Sequence, residues 1–127
     1  MGVERTPSPY STGFSDTVSV SGPGRWIFVS GHVGADESKR IVGGGFRAEA
    51  DQCFARVRQS LESVGATMDD VVQITAWLTD VEGLYADFGA ARTAAFPGGK
   101  PASAAVEVPK LLLGAKIEIQ AIAFVAE

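Results

Sequence analysis

The chain has 127 residues, of which 46% are hydrophobic, and its formal net charge at pH 7 is −4. This length supports a single packed domain over residues 1–127 and is too short for two independent cores. Apart from Lys39-Arg40, the lysines and arginines are scattered singly. This argues against nucleic acid as a partner, because such a surface needs clustered positive charge. No apolar run approaches the roughly 20 residues of a membrane span, so we expect no membrane partner.

The N-terminal sequence favours a cytoplasmic protein. An acid and two prolines stand where a secretory signal would have its apolar core. We expect residues 1–9 to form a flexible arm. The single cysteine, Cys53, cannot form an internal disulfide, which agrees with a reducing compartment. It falls on an apolar helical face, so the pattern predicts a buried side chain rather than a reactive thiol.

Two β-rich runs come first in the chain. Residues 16–21 alternate polar and apolar, and residues 26–31 follow a Gly-Pro-Gly-Arg turn. Two such runs around a turn predict an antiparallel hairpin. Residues 34–45 end in three glycines and are predicted to be irregular.

Two amphipathic helices follow. Over residues 47–64 the apolar side chains recur at the helical spacing, and Gly65 is placed to end this helix. A second helix is predicted over about residues 82–95, and the Pro-Gly-Gly sequence at 97–99 stops it. Phe88 lies on the apolar stripe of this second helix, so packing in the core is its default role.

Three more strands complete the prediction, over residues 71–79, 104–108 and 116–125. The predicted order is therefore ββαβαββ. It fits an α/β sandwich in which two helices back a mixed sheet.

A small-residue run and a lone carboxylate suggest a pocket. Residues 101–108 read Pro-Ala-Ser-Ala-Ala-Val-Glu-Val, and Glu118 lies inside the next predicted strand. Strand alternation places Glu118 on the same face as Gln120, Ile122 and Phe124. A carboxylate among apolar residues is costly to bury unpaired, so it is either exposed or placed for a function. We interpret the pair as a pocket wall with one acid/base group.

Several local sequences resemble, in order and spacing, the reactive intermediate deaminase family, also called Rid or YjgF-type proteins. The matching sequences are Pro9-Tyr10-Ser11, Val29-Ser30-Gly31, Asp70-Val-Val-Gln-Ile-Thr-Ala-Trp-Leu-Thr-Asp80, Phe96-Pro97, Pro101-Ala102, Val106-Glu-Val108 and Gly114-Ala-Lys-Ile-Glu-Ile-Gln-Ala-Ile-Ala123. The resemblance implies a chorismate-mutase-like α/β fold, a homotrimer with small-molecule pockets at its subunit interfaces, and no cofactor. Its best-known members hydrolyse enamine and imine intermediates to a 2-keto acid and ammonia.

The resemblance also assigns roles at the pocket. In the family, an arginine two residues after the Pro of a Pro-Ala-Arg-Ser motif grips the substrate carboxylate, and the first Glu of a Glu-Ile-Glu motif handles water or protons. Here those positions are Ser103 and Glu118. Tyr10, Ser30 and Gly31 match the family pattern.

Three further pocket positions depart from the family pattern. His32 stands where glutamine is usual, Phe88 where asparagine is frequent, and Ala105 where cysteine is frequent. If Phe88 does face the cavity, it makes the pocket less polar. These departures indicate that the scaffold is retained and the ligand has changed.

The loss of arginine at Ser103 bears on the substrate. A guanidinium binds a carboxylate through two charge-assisted hydrogen bonds, whereas a hydroxyl offers one neutral bond. We therefore expect weak or no activity on simple 2-imino acids. The alternative is that Arg25, Arg92 or Lys100 supplies the missing charge.

Two other candidates have open interpretations. His32 is the only histidine; it is either a hydrogen-bonded structural residue or a catalytic group beside the Ser30-Gly31 pair. Tyr10 either anchors the N-terminal arm or closes the pocket. With one histidine and one cysteine in the chain, we expect no metal site.

The sequence thus favours a cofactor-free, homotrimeric Rid-like enzyme acting on a small metabolite by hydrolysis, deamination or tautomerisation. Glu118 would be the acid/base, with His32 as a second catalytic candidate. Tyr10, Ser30, Gly31, Phe88, Ser103 and Ala105 would bind or orient the substrate. The main alternative is a trimer that binds a small molecule without catalysis. A third interpretation, ribonuclease, is disfavoured by the acidic charge balance.

Overall fold

A six-stranded mixed sheet carries two helices on one of its faces. The computed structural model describes residues 2–127. The strands are β1 (Val3–Pro7), β2 (Ser15–Val20), β3 (Gly24–Val33), β4 (Val71–Leu78), β5 (Ala102–Glu107) and β6 (Ile117–Ala126). The helices are α1 (Phe46–Glu62) and α2 (Val81–Ala95), and 3-10 turns occupy Met68–Asp70 and Leu112–Gly114. The predicted ββαβαββ order is confirmed, with one strand added before it.

The strands lie in the order β1-β2-β5-β4-β6-β3. β4 is central: it pairs in parallel with β5 and antiparallel with β6. β2 meets β5 through a single residue pair, Ser15 with Ala102. From Ser103 onward, the edge of β5 that faces away from β4 is therefore not paired with β2. An edge of this kind leaves backbone groups available to other partners.

The predicted hairpin of residues 16–21 and 26–31 is wrong. β2 pairs with β1 and β5, whereas β3 pairs along its length with β6. The turn around Gly22 instead links the two ends of the sheet. The backbone N–H of Glu127 donates to the carbonyl of Pro23, 3.2 Å away, which extends the pairing of β3 with β6 by one residue. A turn signal predicts a reversal of the chain, but it does not decide which strands pair.

The expected flexible arm at residues 1–9 is also corrected. Most of it is β1, which pairs with β2 from Val3 to Pro7. Arg5 fixes this strand to the sheet, because its guanidinium donates to the backbone carbonyls of Lys100, Asp69 and Val71 at 2.6–3.1 Å. Such bonds satisfy carbonyls that would otherwise lack partners. The irregular segment begins only after Pro7.

The two faces of the sheet differ in what covers them. Four alternate residues of β6 are 0–1% exposed and pack with the helices in one core: Ile117, Ile119, Ala121 and Ala123. Cys53 of α1 belongs to this core, as predicted. The residues between them, Glu118 among them, point to the opposite face. We call that side the open face because the helices do not cover it.

The open face is rich in large apolar side chains. Trp26 is 50% exposed, Phe28 74% and Val106 45%. The ring of Trp26 lies 5.0 Å from that of Phe124 in an edge-on arrangement.

Neither helix of the described residues is long and apolar enough to cross a membrane.

Candidate functional site

Glu118 lies on the open face, in the middle of the sheet. Its cross-strand neighbours are Trp77 on β4 and Val33 on β3. The side chain is half-buried. Within residues 2–127 it forms no hydrogen bond and no ion pair, so the carboxylate is available to a ligand.

Gly31 provides the room for this carboxylate. A Cβ on Gly31 would overlap Oε2 of Glu118. The carboxylate therefore rests directly on the backbone of β3. Any larger residue at position 31 would push it away from its present place.

A β-bulge surrounds Gly31. The pairing of β3 with β6 shifts between Val29 and His32, so Ser30 and Gly31 lie outside the regular ladder. Ser30 is exposed at this bulge. One extra residue in a strand reverses the face to which the following side chains point. The bulge thus brings Ser30 and Gly31 beside Glu118 and turns His32 away.

His32 lies on the helix-covered side. Its Nε2 atom is 2.9 Å from Oγ of Ser60 on α1, and its backbone carbonyl accepts a hydrogen bond from Sγ of Cys53. Burial, helped by the positive charge of Arg56, lowers the pKa of His32, while Glu118 acts in the opposite direction. The geometry favours the structural role that the sequence left open rather than the catalytic one.

Cys53 is not a reactive thiol. Burial raises the pKa of its thiol, so the nucleophilic thiolate is disfavoured. Among residues 2–127 there is also no group of three His, Cys, Asp or Glu side chains placed to share a metal ion.

Ser103 and Ala105 lie on the opposite side of the sheet from Glu118. Ala105 packs against the core beneath the helices. Ser103 is half-buried, and its Oγ accepts a hydrogen bond from Nη1 of Arg92 on α2, 3.0 Å away. Of the three cations considered as substitutes for the missing arginine, Arg92 is the one beside Ser103. If Arg92 supplies the missing charge, the reason for expecting weak activity on simple 2-imino acids no longer holds.

Arg92 is buried and has no acidic partner among the described residues. Only 3% of its surface is exposed, and its Nε has no hydrogen-bond partner within residues 2–127. The guanidinium carbon lies 4.8 Å from the ring centre of Phe14, 5.0 Å from that of Phe88 and 5.8 Å from that of Tyr85. The aromatic faces stabilise the cation, but they do not neutralise it.

The sequence contains a signal for this arrangement. Arg92 follows Phe88 by four residues, which puts both on the same side of a helix. An arginine at that spacing on an apolar stripe predicts a buried guanidinium. The other two cations considered for this place lie elsewhere: Arg25 donates to the carbonyl of Gly65, and Lys100 to that of Phe96.

Phe88 and Tyr10 lie at opposite extremes of burial. Phe88 is 0% exposed and stacks on Phe54 in the core, so in one chain it offers no surface to a ligand and acts through its contact with Arg92. Tyr10 is 89% exposed on the irregular segment after β1. It therefore closes no pocket within its own chain.

Five of the predicted site residues, together with Arg92, form two groups. We call them the carboxylate half-site (Ser30, Gly31 and Glu118) and the arginine half-site (Arg92, Ser103 and Ala105). Glu118 on β6 pairs with Trp77 of β4, and Ser103 on β5 pairs with Ile74, three residues away on β4. Glu118 and Ser103 are therefore separated by two strand spacings across the sheet and by three residues along it, and each of these distances is about 10 Å. The half-sites also lie on opposite faces, so one small molecule does not contact both within one chain.

The comparisons with known proteins cover nearly the whole chain. The sequence profile of the family described as endoribonuclease L-PSP matches residues 6–125. A RutC family protein of Pyrococcus abyssi is 33% identical over 95% of this chain and 92% of its own length. The 2-iminobutanoate/2-iminopropanoate deaminase of Mus musculus is 35% identical over 95% of this chain and 88% of its own.

Solved structures give the same result. A Rid-family protein of unknown function from Yersinia pestis is similar with a TM-score of 0.87 and 28% identity, covering 98% of this chain and 100% of that chain. RidA from an Antarctic Psychrobacter has a TM-score of 0.74 and 30% identity, covering 95% of this chain and 94% of that chain. The six-stranded sheet with two helices is thus shared along almost the entire sequence.

Proposed function

Because the chain belongs to the endoribonuclease L-PSP family, which includes the Rid proteins, we propose that it is an enzyme that hydrolyses a small imine or enamine. Relatives named 2-iminobutanoate/2-iminopropanoate deaminase support this reaction class. The observation that carries the proposal is the unpaired, half-buried carboxylate of Glu118 held against Gly31.

The chemistry needs one group that accepts and returns a proton. Water adds to the carbon of the C=N bond while Glu118 takes one of its protons and delivers it to the nitrogen, which gives a carbinolamine. Glu118 then takes the proton of the new hydroxyl and delivers it to the nitrogen, so that the C–N bond breaks and ammonia leaves as the C=O bond forms. The products are a carbonyl compound and ammonia, so one water molecule is consumed and no oxidant is required. A carboxylate within reach of both water and nitrogen is sufficient for this exchange.

We propose that the complete site forms between two copies of the chain. The carboxylate half-site of one copy would face the arginine half-site of the next. The exposed edge of β5 after Ser103 and the exposed ring of Tyr10 support this arrangement, because both are left without a partner in a single chain. In such an assembly Tyr10 would close the pocket of a neighbouring copy.

The open face supports an assembly of identical subunits. It carries Trp26, Phe28 and Val106, each about half or more exposed. A group of large apolar side chains on one face of a sheet marks an interaction surface. Three copies would bury these faces around a common axis and create three equivalent pockets, as the family resemblance implies.

The test is hydrolysis of 2-iminobutanoate by wild type and Glu118→Gln, with ammonia release as the readout. The amide keeps the size of the side chain but does not exchange protons in this way. We expect kcat to fall at least about 100-fold, within the usual range for a lost general acid/base. Glu62→Gln, an exposed change on α1, should keep wild-type activity. Full turnover by Glu118→Gln would exclude the proposed role.

A binding protein without catalysis is the second candidate. It is favoured by one observation: within residues 2–127 no side chain orients the carboxylate of Glu118 through a hydrogen bond. A catalytic base is usually held by another group. Thermal-shift screening separates the two candidates, since a ligand that raises the melting temperature and is recovered unchanged favours binding alone.

The name of the family raises RNA cleavage as another activity. The net charge of −4 argues against it. RNA binding depends on neutralising several phosphates with clustered lysines and arginines. A small neutral or singly charged substrate fits the composition better.

A further inference from the structure

Among the described residues three polar or charged side chains are buried, and two of them, Glu49 and Arg92, are charged groups without an ion pair. Ser15, 4% exposed, donates to the carbonyl of Lys100, and Glu49, 5% exposed, accepts the backbone N–H of Lys116 at 2.7 Å. Within residues 2–127 the guanidinium of Arg92 makes a single hydrogen bond, to the neutral oxygen of Ser103, and its buried Nε has no partner. The one ion pair within residues 2–127 joins Arg47 to Asp51. A buried charge without a partner of opposite sign is costly to maintain.

The free edge of this guanidinium faces a cleft. The cleft, of ≈ 470 Å³, lies between the segment Ser11–Gly13 and α2, and Arg92 forms part of its wall together with Gly89 and Thr93. A Cβ on Gly13 would lie 3.2 Å from Nη2 of Arg92, and one on Gly89 would lie 4.0 Å away. Two glycines thus leave Nη2 uncovered from the side of the cleft.

The surroundings of Nη2 suit a small oxyanion. Oγ of Ser11 accepts the backbone N–H of Gly13 at 2.9 Å, so its own proton is free to be donated. The hydroxyl of Thr93 lies at the same place, 3.4 Å from the position of a Cβ on Gly13. Ser103 fixes Nη1 on the opposite edge of the guanidinium. Cation and hydroxyl donors together match the acceptors of a carboxylate.

From this geometry we propose that Arg92 is the cation of a carboxylate-binding site, with α2 supplying the charge and Ser103 orienting it. The ligand is a small carboxylic acid whose oxygens take Nη2 of Arg92 and the hydroxyls of Ser11 and Thr93. The aromatic rings of Phe14, Tyr85 and Phe88 hold the guanidinium in place. A role of this site in turnover rests on the proposed imine hydrolysis. Binding of a carboxylic acid at Arg92 does not depend on that reaction.

The first measurement is binding of 2-oxobutanoate and of its uncharged amide by calorimetry. Wild type should bind the acid at least tenfold more tightly than the amide. Arg92→Met should weaken binding of the acid at least tenfold and change binding of the amide less than threefold. Arg58→Met, an exposed arginine on α1, is the matched control and should bind both as wild type does.

Stability separates a ligand site from a structural role. Removing an uncompensated buried charge is neutral or stabilising when an apolar side chain fills the space. Arg92→Met should therefore melt at or above the wild-type temperature. Gly13→Ala provides an independent variant that keeps the arginine: its methyl group covers Nη2, and affinity for the acid should fall at least threefold.

Several results would overturn the inference. They are no saturable binding of 2-oxobutanoate by wild type, equal binding of acid and amide, or binding within threefold of wild type by both Arg92→Met and Gly13→Ala. Inorganic phosphate in the same titrations shows whether the site prefers carboxylate, and tighter binding of phosphate would refute the assigned class. If Arg92→Met loses binding of the acid while Glu118→Gln keeps its turnover, the carboxylate site stands and the proposed reaction is rejected. If Arg92→Met keeps binding of the acid while Glu118→Gln loses turnover, the proposed reaction stands and the carboxylate site is rejected.

Discussion

The two half-sites are built by different means. Glu118 is placed by strand alternation and by a glycine on the neighbouring strand, so its environment is local to the sheet. Arg92 is placed by a helix that packs over the sheet and presents a guanidinium to Ser103 on β5. The first half-site is an unpaired anion and the second an unpaired cation. Neither is balanced within one chain, which is why we propose that a ligand and a second copy bring them together.

The largest expected effect comes from separating the copies. Phe28→Asp puts a charge on the open face, where the phenylalanine is 74% exposed. An exposed substitution of this kind changes the stability of one chain by about 0.5 kcal/mol or less. Assembly and all turnover should nevertheless be lost, which light scattering and ammonia release would measure.

Val64→Asp is the matched control for that variant. Val64 is 47% exposed but lies beyond the end of α1, away from the open face. It should keep both the assembly and the activity of wild type. A fully active Phe28→Asp monomer would show that one chain holds a complete site.

A smaller effect is expected from Gly31→Ala, which disturbs the carboxylate half-site alone. The new methyl group displaces the carboxylate of Glu118, and a misplacement of about 1 Å costs up to about 100-fold in rate. We expect kcat/KM to fall at least tenfold, with a change in unfolding free energy below about 1 kcal/mol, because the group that moves ends a flexible side chain. Urea unfolding and steady-state kinetics check both.

Gly34→Ala should instead lower the free energy of unfolding. There the Cβ would overlap the backbone oxygen of Glu49, which does not move freely. Overpacking of this kind costs about 1–3 kcal/mol. Equal losses of stability in the two glycine variants would remove the argument that Gly31 serves the position of Glu118.

The smallest effect is expected at His32, which belongs to neither half-site. Its pKa is lowered in the folded chain, so the folded state favours the neutral ring. The neutral ring therefore contributes to the free energy of unfolding above the ordinary pKa of about 6.5, and this contribution is lost as the pH falls below that value. In His32→Gln, stability should fall less than in wild type between pH 7.5 and 5.5, while turnover at pH 7.5 stays within twofold. A loss of turnover beyond tenfold at constant stability would return His32 to the catalytic candidates.

Strand and helix periodicity predicted the fold well. The side of β6 that carries Glu118 follows from alternation, and both helices lie within two residues of their predicted bounds. Pairing was harder to predict, because the same turn at Gly22 is compatible with a hairpin and with a link between sheet ends. β1 was not predicted because local sequence does not reveal the hydrogen bonds that hold it, which join Arg5 to three carbonyls distant in the chain.

The candidate site was predictable only in part. Glu118 and Gly31 could be identified from local sequence and the family pattern, yet their contact depends on a bulge that the sequence does not specify. That bulge also decides the direction of His32. The hydrogen bond of Arg92 with Ser103 joins a helix to a strand, so a comparison at position 103 alone suggested a missing cation.

Intersubunit complementation tests the central claim most directly. Glu118→Gln and Arg92→Met, each expected to be impaired alone on 2-iminobutanoate, are unfolded together, refolded as a mixture and assayed. If each site takes one half from each of two neighbouring copies, random equal mixing restores about one quarter of the sites. We predict about that fraction of wild-type turnover. Activity no greater than the sum of the two parents would contradict a site shared between copies.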